Sequence, residues 1–182
     1  SQEDPFPVLA DDIAKATAAG ASFIVLTCNT AHYFYDRFQA LTPVPIFHMP
    51  RRAVSRMSSL YPAARCPRVG FMATEGSRKA GVYQKEIEAA GYTYVEPDED
   101  LQRQINALIY QDVKGSGKLD EGRYLAAMQA FLNPHGPYRC DVVLLGCTEL
   151  SVLNEAFPQP DLPLIDAQAV LVEDTVAAAR AL

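Results

Sequence analysis

Apolar residues fall into two kinds of run along this chain. Short continuous runs at 23–26, 69–72 and 142–146 suit parallel strands covered by helices on both faces. Elsewhere apolar residues recur at helical spacing: Val8, Leu9, Ile13 and Ala16 before Gly20, then Ala31, Phe34, Tyr35, Phe38 and Leu41. The same spacing predicts helices from Arg51 and over 78–90, 101–113, 118–132 and 168–182, with shorter strands at 44–47, 92–95 and 164–166. Strands alternating with helices predict an α/β architecture with mainly parallel sheets. Pro62 and Pro67 mark a crossing between two lobes, and Pro158, Pro160 and Pro163 mark a loop.

Two of the buried runs end in the same way. Phe23-Ile24-Val25-Leu26-Thr27-Cys28-Asn29-Thr30 and Val142-Val143-Leu144-Leu145-Gly146-Cys147-Thr148-Glu149 each deliver a cysteine, then polar residues at a helix start. Ligands of open α/β sheets bind at such strand ends. The free N–H groups and positive dipole end of a new helix attract anions and favour a thiolate beside them. A single cysteine closing a strand is more often packing than chemistry. A matched pair of them points to a site.

Length and composition narrow the class. The 182 residues are 49% hydrophobic and 21% charged, as in a globular protein with one substantial core or two smaller ones. A net charge of −6 leaves no broad basic field for nucleic acid, and Arg51, Arg52 and Arg56 read as a solvated helix face. No apolar run approaches the ~20 residues that cross a bilayer, so no membrane partner is expected and the cytoplasm is the expected compartment. Cys28, Cys66, Cys140 and Cys147 lack disulfide-scaffold density and zinc-type spacing. Cys66 and Cys140 have no motif around them and read as structural. No metal is expected, and no phosphate loop or dinucleotide fingerprint is present.

The motifs Cys28-Asn29-Thr30-Ala31-His32 and Gly146-Cys147-Thr148-Glu149-Leu150 resemble those of the aspartate/glutamate racemase superfamily. His32 and Glu149-Leu150 resemble the aspartate racemase branch, as do Ala73-Thr74-Glu75-Gly76, Gly81-Val82-Tyr83 and Asp112-Val113-Lys114 in that order. The resemblance implies two similar three-layer lobes, a substrate cleft between them and one cysteine from each. It divides the chain into a first lobe of 1–48 and 160–182, to which the closing helix returns, and a second lobe of 49–159. Members of the family open with a strand and glycine-rich turn, then a strand carrying a substrate-binding arginine; neither matches here. The first lobe is therefore expected to be incomplete, with an exposed sheet edge beside Cys28.

The implied activity is racemisation of an acidic amino acid, aspartate favoured, without a cofactor. Cys28 and Cys147 would be the acid/base pair working on opposite faces of the α-carbon. Asn29, Thr30, Thr74 and Thr148 would bind the α-carboxylate, where charge develops, although helix capping explains Asn29 and Thr148 equally well. Lys114 would hold the side-chain carboxylate; on spacing alone it is a surface lysine. His32 either tunes Cys28 or packs, and Glu149 either complements the helix dipole or orients groups near Cys147. The alternatives are a non-catalytic acidic-ligand binding protein of the same fold, or a related isomerase or decarboxylase acting alpha to a carboxylate. The expected partner is a small amino acid, with a homodimer plausible.

Overall fold

The structure, a computed structural model, describes residues 4–182. Its strands form two parallel sheets. β1 (Ile24–Val25) pairs with β2 (Ile46–Phe47) in a small sheet. β3 (Arg68–Met72), β4 (Thr93–Val95), β5 (Val142–Leu145) and β6 (Leu164–Asp166) form the larger one, in the order β4-β3-β5-β6. β5 is buried along its whole length, which accounts for its unbroken apolar sequence.

Successive residues of the larger sheet point to opposite faces, and each face has its own core. Val69, Phe71, Val142 and Leu144 pack with α3 (Met49–Leu60), α5 (Val82–Ala89) and α9 (Ala167–Arg180). Met72, Val143 and Leu145 pack with α6 (Glu99–Ala107), α7 (Glu121–Leu132) and α8 (Thr148–Ala156). The smaller sheet has a core of Ile13, Leu26, Phe38 and Ile46, closed by α1 (Phe6–Ala18) and α2 (Tyr35–Gln39).

Residues 160–182, expected in the first lobe, complete the larger sheet instead. β6 pairs in parallel with β5, and α9 packs along α3. The arginines of α3 fix that packing rather than facing solvent freely: Arg52 reaches Asp174 at 2.7 Å and Arg56 reaches Glu173 at 2.7 Å. Arg52 also lies 3.6 Å over the Phe47 ring, and Arg51 pairs with Glu86 of α5 at 3.0 Å.

Three helices differ from the periodicity. The stretch after Cys28 is a 3-10 turn, Thr30–Phe34, followed by the single turn and a half of α2. The stretch at 78–90 divides into α4 (Glu75–Lys79) and α5, because Gly81 takes a left-handed φ of 67°, a conformation that costs glycine little. Beyond α6 the chain continues as a π-helix, Leu108–Ser116. A Cβ on Gly115 would lie 2.9 Å from the Tyr110 carbonyl oxygen, so the wide turn that carries Lys114 requires a glycine there. Such π segments are rare and cluster at functional sites.

Candidate active site

Cys28 and Cys147 both stand just beyond the carboxyl ends of parallel strands, β1 and β5. Cys28 is exposed and Cys147 buried, and both are free thiols. The β3–β5 register sets Met72 opposite Leu145, and Gly146 N–H donates to the Met72 carbonyl at 2.9 Å. Thr74 therefore leaves the sheet beside Cys147. Its hydroxyl caps α4 by accepting from Ser77 N–H at 3.1 Å.

Cys147 is held in an acidic setting. Its thiol donates to Glu149 Oε2 at 2.8 Å, and Thr148 Oγ1 donates to the same oxygen at 3.0 Å. Glu149 Oε1 lies 3.2 Å from Lys114 Nζ. Burial pushes the Cys147 thiol up to about 12, and the Glu149 carboxylate adds to the rise. A thiolate favoured by the helix start was the sequence-based expectation, and desolvation outweighs that dipole. Burial alone would also raise Glu149, yet the donors from Cys147, Lys114 and Thr148 hold it below the usual carboxylate range. Lys114 is held high, the pull of Glu149 outweighing its own partial desolvation.

Cys28 is held through its backbone. His32, 2% exposed, has Nδ1 3.0 Å from the Cys28 carbonyl oxygen, while its Nε2 accepts from Met49 N–H at 3.1 Å. An acceptor role at Nε2 fixes the proton on Nδ1, so the ring is neutral. His32 thus ties the Cys28 turn to the first residue of α3. Burial pulls its basicity down.

Neither Asn29 nor Thr148 caps a helix with its side chain. Asn29, 6% exposed, instead accepts at Oδ1 from the Tyr83 hydroxyl. The Tyr83 ring stacks on Phe71 at 4.7 Å, and a Cβ on Gly146 would lie 2.3 Å from Phe71 Cε2. Asn29, Tyr83, Phe71 and Gly146 therefore form a packed line from one cysteine turn to the other. Tyr83 is fully buried, and burial, with the charges of Asp166 and Cys147 adding, raises its phenol well above the ordinary value. It is a constant hydrogen-bond donor. Sequence reading gave Tyr83 no role; its signal was the motif Gly81-Val82-Tyr83, since spacing alone marks it as one more core aromatic. Thr30 opens the 3-10 turn and is exposed.

Two parallel sheets, each with a free cysteine just beyond a strand end, make this an α/β protein with one thiol at the carboxyl end of each sheet. The chain belongs to the Asp/Glu/Hydantoin racemase family, which matches residues 1–175. It is 27% identical over 166 residues to the broad specificity amino-acid racemase RacX of Bacillus subtilis, spanning 91% of this chain and 68% of that protein. A glutamate racemase of Corynebacterium kroppenstedtii is 29% identical over 147 residues, and the chain spans about half of its length, 47%. The crystal structure of an aspartate racemase homologue from Pyrococcus horikoshii superposes with a TM-score of 0.79 at 21% identity, covering 96% of this chain and 74% of that one. That likeness extends to the mixed α/β fold with parallel sheets. Among the described residues, no helix is long and apolar enough to cross a membrane.

Proposed function

We propose that the protein is an amino-acid racemase working on an acidic amino acid, aspartate favoured, by proton transfer between two cysteines without pyridoxal phosphate. The observation that carries this reading is the pair of thiols at equivalent strand ends, joined by the line from Asn29 to Gly146. Family membership and the amino-acid racemases among its relatives support it.

Cys28 and Cys147 take opposite roles. For one enantiomer, the Cys28 sulfur removes the α-proton and the Cys147 thiol returns its own proton to the other face, so that a Cα–H bond breaks as another forms. For the mirror substrate the roles exchange. Charge that develops on the α-carboxylate meets the amide of Asn29 and the hydroxyls of Thr30, Thr74 and Thr148. Lys114, half-exposed, supplies the cation for a side-chain carboxylate. His32 is a positioning residue that holds the Cys28 turn, and Glu149 governs the protonation of Cys147.

Chiral chromatography of L- and D-aspartate, glutamate and several neutral amino acids incubated with the protein tests the reading. Interconversion of an acidic pair is expected. A folded protein that inverts none of them, yet binds aspartate, would make it the acidic-ligand binding protein instead.

A further inference from the structure

Lys114 and Glu149 already satisfy one another. Among the described residues each has a single oppositely charged partner within salt-bridge distance, the other. Exposure falls inward along the cluster: the Lys114 side chain is 50% exposed, Glu149 15% and Cys147 7%. An anion arriving from solvent meets the lysine first, the carboxylate second and the thiol last. A single carboxylate, Glu149, takes the ammonium on one oxygen and the Cys147 thiol with the Thr148 hydroxyl on the other.

We infer that Glu149 occupies on Lys114 the place of the substrate's side-chain carboxylate, and that a dicarboxylate ligand displaces it and thereby frees Glu149 to exchange a proton with Cys147. This rests on the racemase reading above and adds to it a specificity device. Before displacement, three donors share the charge of Glu149 and make it a weak base. Once Lys114 turns to the ligand, the carboxylate loses its counter-charge and becomes more basic. The S–H bond of Cys147 then breaks as an O–H bond forms on Oε2, and the charge passes from Glu149 to the sulfur; the return step reverses this. Monocarboxylic amino acids leave the ion pair closed and Cys147 locked as a thiol. Glu149 acts here through Cys147 and Lys114, as a positioning residue.

The test uses succinate, a dicarboxylate with no α-amino group to racemise, and propionate as the single-carboxylate control, both titrated by calorimetry. Glu149→Gln keeps the shape and removes the internal competitor, so succinate should bind about two- to fivefold more tightly while propionate is unmoved. Lys114→Met should make the protein as indifferent to succinate as to propionate. With acidic amino acids, Glu149→Gln should lower KM and lower kcat together, and kcat/KM should change by the same factor in both directions of inversion because the enantiomers are isoenergetic; a merely structural lesion raises KM instead. Unchanged or weaker succinate binding in a folded Glu149→Gln protein overturns the inference, as does unaltered succinate binding in Lys114→Met. Succinate binding requires no turnover, so an inactive wild-type protein would defeat the racemase reading while leaving the displacement measurable. An active enzyme without tighter succinate binding would defeat the displacement alone.

Discussion

Tyr83→Phe removes one oxygen from the line that joins the two cysteine turns. The ring stays, and with it the contact with Phe71. What is lost is the hydrogen bond to Asn29, between a tyrosine 1% exposed and an asparagine 6% exposed. The net value of a buried hydrogen bond is about 1 kcal/mol, and an acceptor left unsatisfied costs about 1–3 kcal/mol, so a loss near 2 kcal/mol is expected. For a domain of this size each kcal/mol moves Tm by about 2–4 °C, which predicts a fall of about 4–8 °C in thermal unfolding followed by circular dichroism. Activity should fall further than stability. Asn29 loses the contact that fixes its amide, and misplacing a catalytic contact by about 1 Å costs on the order of a hundredfold. Racemisation should therefore drop by about ten- to a hundredfold in kcat/KM at a temperature where the variant is fully folded. A variant with the wild-type Tm and wild-type kcat/KM would refute the idea that Tyr83 holds Asn29.

Gly146→Ala presses on the same line from the other end. The new Cβ would meet the fully buried Phe71 ring at 2.3 and 2.4 Å, and overpacking of this kind costs about 1–3 kcal/mol; denaturant unfolding should show that loss, and none would mean that Phe71 moves aside freely. Stability should also fall in mild acid. Burial pulls His48 down to about 3, with the Arg51 charge adding, and burial pulls His32 down as well. Both rings are neutral when folded and charge below about pH 6.5 when unfolded, so stability is complete above that pH and declines below it, by up to about 1.4 kcal/mol per pH unit for each ring. The lowered Glu149 adds a loss in the same direction at lower pH. Tm measured from pH 7.5 to 5 should fall; a level or rising profile contradicts the burial of neutral imidazoles. Alkylation with iodoacetamide near neutral pH should mark exposed Cys28 well before Cys147 and Cys140, both buried and both pushed up to about 12. Peptide mass spectrometry gives the order, and Cys147 reacting first would contradict the Glu149 contact.

Local pattern carried the strands and the cysteines that follow them. The runs at β3 and β5 are apolar because helices cover both faces, and Cys147 follows β5 as its sequence announces. What the pattern lacked is what non-local contacts decide. Nothing around Leu164 specifies that β6 joins β5, and the packing of α9 on α3 depends on arginines paired with acids more than a hundred residues away. The π-helix bearing Lys114 follows an ordinary helical spacing, and its one local sign is Gly115. The contact between Cys147 and Glu149 depends on how the first turn of α8 folds back and on burial, which reverses the expected effect of the helix dipole on the thiol.

Exchange of the α-proton in heavy water, followed by NMR on both enantiomers of aspartate with the wild-type protein, Cys28→Ala and Cys147→Ala, tests two-cysteine proton transfer most directly. The wild-type protein should incorporate deuterium with inversion from either enantiomer. Each alanine variant should lose inversion and retain at most washout from the one enantiomer whose α-proton faces the remaining thiol, with opposite enantiomers for the two variants. Inversion that survives either substitution would contradict the account.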